Sequence, residues 1–236
     1  LLPKEYVKAI VEDDVYRMDG IKRDTNKMRL LLRSLARNES TTVTNRTLKN
    51  DVKEIDDEDI DANTINEYLN IFERLFLINN QKPFAASVRS SVRIKQAVKR
   101  HFVDPSISAA LLGVTSSSLL NDLETLGLLF EALCERDLQI YADAFGGSLY
   151  HYQDYKNREI DAVVECPDGE WCAFEIKLGA NQIDAAAEGL LRLKAEFEAD
   201  PRGRPPKVLC VLCGLSNAAY QRPDGVFVVP LTALRD

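Results

Sequence analysis

Residues 159–179 read EIDAVVECPDGEWCAFEIKLG, two apolar runs separated by Pro167-Asp168-Gly169. Short runs rich in β-branched and aromatic residues on either side of such a turn predict a β-hairpin. Proline first and glycine last suit a type I turn closed by a glycine bulge, a three-residue loop that pairs 166 with 170. Counting back along both arms, that register sets Asp161 opposite Glu175. A two-residue Asp-Gly turn would instead slip the register by one and move Asp161 to the other face. Alternation along the second arm puts Trp171, Ala173, Glu175 and Lys177 on one side and Cys172, Phe174, Ile176 and Leu178 on the other.

Two carboxylates facing each other across a strand pair repel and destabilise the sheet unless positive charge lies between them. Lys177, about 6–7 Å along the strand from Glu175 by the pleat, supplies part of that charge. A hard divalent cation such as Mg²⁺ or Mn²⁺ supplies more, because it prefers carboxylate oxygens and keeps waters for chemistry. The plainer alternative is a solvated salt-bridge patch on an ordinary hairpin.

Around the hairpin, the pattern is mixed. A helix over about 118–139 with an apolar stripe precedes three strands, 149–155, 159–165 and 171–178. A helix over about 182–198 and strands over 207–213 and 225–230 follow. Helix, meander, helix and strands make a mixed α/β layer. Residues 105–236 carry 11 Lys+Arg against 20 Asp+Glu, a balance of -9. Such a surface repels a phosphate backbone unless metal ions or a basic neighbour offset it.

The first part reads differently. Residues 27–37, KMRLLLRSLAR, form an amphipathic helix with basic positions between the leucines. A second helix is expected over 45–52, then an acidic block, KEIDDEDIDA, that loops out. A third starts near Asp61 or Asn63, either of which can cap it. A β-ribbon over 75–84 and 98–104 completes the order of a winged helix. Residues 82–100 hold six basic side chains and no acidic one. Arg89, Arg93, Lys95, Lys99 and Arg100 are therefore the candidate nucleic-acid contacts. The presumed recognition helix weakens that reading, since Glu67 and Glu73 sit against one Arg74.

Five cysteines at 134, 166, 172, 210 and 213 lie in apolar patterns, as reduced thiols of a cytoplasmic protein would. Cys210 and Cys213 have CxxC spacing, but two histidines, His101 and His151, are too few to complete a zinc motif. No apolar run approaches the roughly 18 residues of a membrane span, and no membrane partner is expected.

Asp161 on one strand, and Glu175-Ile176-Lys177 on the next, after a helix bearing a glutamate, is similar to the PD-(D/E)XK nuclease core. That resemblance implies that Asp161 and Glu175 hold the catalytic metal and that Lys177 activates water and stabilises the phosphate. It also implies that Glu131 in GLLFEALCERDL completes the metal site, with Glu135 as fallback and Gln182 as an auxiliary residue. Ile160 stands where the signature has Pro. The order FVDPSISAALLG, LGLLFEALCERDL, NREIDAVVE, FEIKLG after a winged helix resembles the C-terminal half of predicted prokaryotic AAA-type ATPases.

The resemblance implies three parts: a helical lead-in over 1–24 from an N-terminal ATPase domain, a winged helix over 25–104 and a nuclease-like domain over 105–236. The absence of an initial Met fits a fragment of such a protein. ATP would then be held only by that N-terminal domain, since no GxxxxGK[ST] occurs in the sequence. Three functions remain open: a metal-dependent phosphodiesterase acting on DNA, a non-catalytic interaction module of the ATPase, and a DNA-binding regulator. A homo-oligomer is compatible with each.

Overall fold

The computed structural model describes residues 2–57, 59–85, 98–154, 158–201 and 203–234. The protein is α/β and divides into two compact units, one of residues 1–80 and 97–132, the other of 81–96 and 133–236. The expected lead-in therefore belongs to the same unit as the winged-helix elements, together with residues 105–132.

In the first unit, α1 (Leu2–Ala9) and α2 (Val15–Asp19) are joined by a π turn, Ile10–Asp14. Helices α3 (Thr25–Arg37), α4 (Asn45–Asp56) and α5 (Ala62–Arg74) follow. Each of these three starts where a short polar side chain takes up orphan backbone donors. Asp24 accepts from Asn26 and Lys27, Thr44 from Thr47, and Asp61 from Asn63 and Thr64. Strands β1 (Ile78–Pro83) and β2 (Lys99–Phe102) come next, and Thr41 bridges antiparallel to Arg100. Helices α6 (Pro105–Leu112) and α7 (Ser116–Leu119) close this part. The order of helix, bridge, two helices and ribbon is that of a winged helix.

Met28, Leu31 and Leu32 of α3 are fully buried in a core shared with Leu48, Val52, Ile65 and Phe72. Glu39, two residues after α3, is 2% exposed and is held by the Phe102 N–H at 3.2 Å and by the Ser108 hydroxyl. A buried carboxylate thus ties β2 and α6 to α3 by charge-assisted bonds.

Two expectations are corrected here. The acidic block does not loop out from Lys53. Helix α4 runs on to Asp56, because Val52 and Ile55 continue its apolar face into the core. The long helix expected from Ser118 is broken: α7 ends at Leu119 and α8 runs Leu123–Ala144. Asp122 accepts from the Thr125 N–H and hydroxyl, which caps the second helix and separates it from the first.

In the second unit, β3 (Ser148–Gln153), β4 (Glu159–Glu165) and β5 (Trp171–Lys177) form an antiparallel meander. Helix α9 (Ile183–Ala199) crosses to β6 (Val208–Cys213), which lies parallel to β5, as a βαβ unit requires. Strand β8 (Phe227–Val229) is parallel to β6, and β7 (Tyr220–Gln221), not foreseen, is antiparallel to β8. The end of β1 runs parallel to β3, Lys82 beside Tyr150.

One sheet face carries Val163, Trp171, Ala173, Leu209, Val211 and Cys213, and α9 covers it with Ile183, Ala187, Leu190 and Leu193. The opposite face carries Ala162, Val164, Ile176, Cys210 and Leu212, all equally buried.

All five cysteines are free thiols. Burial pushes the Cys172 thiol up to about 11 and the Cys210 thiol up to about 12. At pH 8 fewer than about one in a hundred of such thiols is ionised, so the native protein is expected to give one fast phase with a thiol reagent. That phase belongs to partly exposed Cys166 and should vanish in Cys166→Ser. Rapid labelling of three or more thiols in the folded protein would contradict this packing.

Candidate functional site

The hairpin adopts the anticipated loop. Cys166 N–H donates to Glu170 O at 2.7 Å, Gly169 N–H donates to Cys166 O at 2.9 Å, and Gly169 has φ +84°. That left-handed angle is open to glycine at no steric cost, which is what a glycine bulge needs. The ladder pairs Glu165 with Trp171 and continues to Ala162 with Phe174. Continued by one step, this register brings Asp161 level with Glu175, so the turn chemistry fixes the site.

A second feature aims Asp161. Between the pairs Tyr150–Val163 and Tyr152–Ile160, β3 has one residue, His151, and β4 has two, Asp161 and Ala162. This is a β-bulge, which locally opens a ladder and redirects a side chain. Here the Asp161 carboxylate takes the place of a main-chain acceptor: its Oδ2 receives the Ile176 N–H at 2.7 Å. The same oxygen lies 2.9 Å from Lys177 Nζ, and Lys177 Nζ lies 2.7 Å from Glu175 Oε2. One ammonium therefore clasps both carboxylates. The three side chains are 14%, 15% and 25% exposed for Asp161, Glu175 and Lys177.

Electrostatics follow from that geometry. Burial first, and then the Asp161 charge, push the Glu175 carboxyl up to about 8, against the lowering effect of Lys177. Burial alone would depress the Lys177 ammonium, but the two carboxylates outweigh it and hold its pKa above the ordinary lysine value. The trio shares one net negative charge when both acids are ionised, so a further proton or a further cation is favoured there.

A cavity of about 350 Å³ opens beside Glu175, lined by Arg158, Glu159, Ile160, Leu190, Arg192 and Glu196 among others. Arg158 is committed to Asp154 at 2.6 Å and also pairs with Glu196. Arg192 on α9 is exposed at the rim. Neither arginine stood out in the sequence. Arg158 sits one residue before β4 and three before Asp161, and only the fold of α9 over the sheet brings Arg192 there.

The remaining anticipated residues have surroundings of their own. Glu131 belongs to the first unit, where it pairs with Lys99. Glu135, one turn on, belongs to the second unit and is 2% exposed. Gln182 accepts from the Gly179 N–H at 3.1 Å and so closes the turn into α9. Among the described residues no three His, Cys, Asp or Glu side chains form a metal shell, and this includes Cys210 and Cys213.

Two of the basic contacts expected for nucleic acid need correction. Lys99 is 7% exposed and pairs with Glu131, and half-buried Arg100 donates to Val43 O at 2.7 Å, so both are engaged within their own unit. Arg89, Arg93 and Lys95 lie outside the described residues. Among the described residues no helix is long and apolar enough to cross a membrane.

Residues 2–118 match a family model described as a domain of unknown function, DUF8612. Residues 126–234 match a second, also described as a domain of unknown function, DUF4143. No curated protein and no solved structure matches the chain. The second match contains the whole carboxylate-lysine site, and the interval between the two falls at the connection of α7 to α8.

Proposed function

We propose that the second unit is a metal-dependent phosphodiester hydrolase of the PD-(D/E)XK type, with DNA as its substrate. The observation that carries this reading is the convergence of Asp161, Glu175 and Lys177 within single hydrogen-bond distances at a bulge. The donor set fits Mg²⁺ or Mn²⁺: such ions take one or two protein carboxylates and complete their shell with waters and substrate phosphate. Asp161 and Glu175 would hold the ion. When bound, it supplies Lewis-acid polarisation of the phosphoryl group and a water of lowered pKa. Lys177, released from its clasp of the carboxylates, places a positive charge where negative charge gathers on the phosphate oxygens. Arg192 and the cavity beside Glu175 give a substrate phosphate room to approach.

The wider assignment is that this chain is the C-terminal region of an AAA-type ATP-binding protein, with ATP held by an N-terminal ATPase domain. The resemblance of its motif order and the DUF4143 match, a domain often found in AAA-ATPase-associated proteins, support it.

The test has two readouts. Calorimetric titration with Mn²⁺ is expected to show one site, weakened at least tenfold in Asp161→Asn. Cleavage of plasmid and oligonucleotide DNA in Mg²⁺ or Mn²⁺ is expected to fall at least about 100-fold in Glu175→Gln and in Lys177→Ala. No binding at about 10 mM Mn²⁺, with no cleavage that depends on any of the three, would sink the hydrolase. The second reading, a nuclease-like interaction module, would then stand. Lys177 favours it in one respect, since its ammonium already satisfies both carboxylates.

A further inference from the structure

A groove on the first unit has the opposite character to the acidic second half of the sequence. Lys4 and Lys8 lie one turn apart on α1, and Arg29 and Arg33 one turn apart on α3. Residues four apart share a helix face, so the two pairs make two short rows of positive charge. Between them is a cavity of about 290 Å³ whose lining includes Val7 and Leu111. Arg29 pairs with Glu12. Lys4, Lys8 and Arg33 have no ion-pair or hydrogen-bond partner among the described residues, and all three are exposed. Cationic rims over an apolar floor fit an acidic segment that carries a large apolar side chain. A bare phosphate backbone would leave the floor unused.

The chain displays such a segment itself. Between α7 and α8, Leu120 and Leu123 are 71% and 62% exposed, and they alternate with Asp122 and Glu124. Exposed leucines in a pair, flanked by acids, are the unusual feature; scattered single ones need no explanation. Because these leucines are exposed, the segment does not fill the groove of its own chain.

We propose that the Leu120–Glu124 segment of one copy docks in the Lys4/Lys8/Arg33 groove of a second copy, a head-to-tail contact between identical chains. Leu120, the more exposed of the two leucines, fills the apolar floor, and Glu124 meets Arg33 and Lys8 at the rim. The segment and the groove are different patches, so the contact is heterologous and propagates into a ring or an open filament rather than closing as a two-fold dimer. A five-residue segment buries less than the roughly 1,200 Å² of a standard interface, so the association is concentration-dependent, with Kd on the order of 10–100 μM. This surface is separate from the proposed hydrolytic site and stands without it.

Sedimentation velocity over about 5–500 μM protein tests it. The weight-average sedimentation coefficient is expected to rise with concentration, and less so at about 0.5 M salt, where rim charges are screened. Arg33→Glu, Glu124→Lys and Leu120→Ser should each return the protein to monomer, with unchanged far-UV circular dichroism. An equimolar mixture of Arg33→Glu and Glu124→Lys should assemble again, because every junction in the alternating chain then pairs opposite charges. A monomer at all concentrations overturns the proposal, as does assembly that survives both Arg33→Glu and Leu120→Ser. A third overturning result is a labelled DNA duplex that binds the monomer through Arg33, which would give the groove to nucleic acid.

Discussion

Lys177→Met is expected to destabilise the second unit by about 3–5 kcal/mol at pH 8–9 and by less than half of that near pH 5. The size follows from burial: removing one member of a buried ion cluster leaves uncompensated charge where water cannot reach well. Lys177 is 25% exposed, and its two partners are less so. The pH dependence follows from Glu175, whose carboxyl is already pushed up to about 8 by burial and by Asp161. For an acid raised in this way, the associated stability is fully present below the ordinary carboxylate value and is lost as pH rises towards about 8, since the unfolded chain gives up its proton first. Without the ammonium that opposes the shift, the carboxyl rises further and the losing window extends upward. Thermal melts of wild type and Lys177→Met across pH 5–9 measure this. Adding Glu175→Gln to Lys177→Met removes the repulsion and should recover most of the loss at pH 8. A penalty independent of pH, or one that Glu175→Gln does not relieve, would show that Lys177 stabilises through packing of its stem.

The hairpin was the most legible part of the sequence because three independent constraints agree there. Turn chemistry at Pro167-Asp168-Gly169, alternation along Trp171–Lys177 and the apolar second face all specify one register, and the ladder has it. Helix starts were legible where an Asp or Thr preceded an amphipathic run, as at Asp61 and Thr44. The failures share a cause. Composition suggested that the acids after Lys53 would leave the helix, but Val52 and Ile55 are packed at the core and hold it together through Asp56. Periodicity ran through Ser118–Asp122 without a break, yet Asp122 prefers to cap, and a cap ends one helix to begin another. Local signals lose wherever a tertiary contact or a side-chain cap outweighs them.

At the site, sequence fixed partners across the hairpin but could not show how Asp161 is aimed. The bulge opposite His151 depends on register with β3, a strand whose pairing no turn motif specifies, because residues 154–158 give no tight hairpin signal. The basic wing shows the same limit from the other side. Lys99 and Arg100 read as phosphate contacts by density of charge alone, whereas alternation on a four-residue strand turns Lys99 inward to Glu131. Charge counts along a chain carry no information about which face a side chain takes.

Trp171→Ala is expected to cost about 4–5 kcal/mol, the largest loss of any single core truncation in the second unit. Trp171 is 1% exposed and begins β5 on the same face as Glu175 and Lys177. Its ring packs 4.7 Å from that of Phe84 and 5.2 Å, edge-on, from that of Phe197 of α9. Aromatic pairs add roughly 0.5–1.5 kcal/mol each beyond their area. The indole N–H donates to Arg204 O at 2.9 Å, so truncation also strands a carbonyl. Trp171→Phe separates these effects: it keeps most of the ring packing and loses the hydrogen bond, and should cost about 1.5–2 kcal/mol. Since Trp171 is the sole tryptophan of the chain, the measurement is urea unfolding followed by far-UV circular dichroism rather than intrinsic fluorescence. With typical domain stabilities of about 5–15 kcal/mol, the alanine variant lies close to the edge of unfolding. Because α9 and the first residue of β5 meet on this ring, the loss should reach the site as well: Mn²⁺ binding should weaken in Trp171→Ala and persist in Trp171→Phe. A Trp171→Ala protein as stable as wild type would mean that α9 is held to the sheet by its aliphatic residues alone.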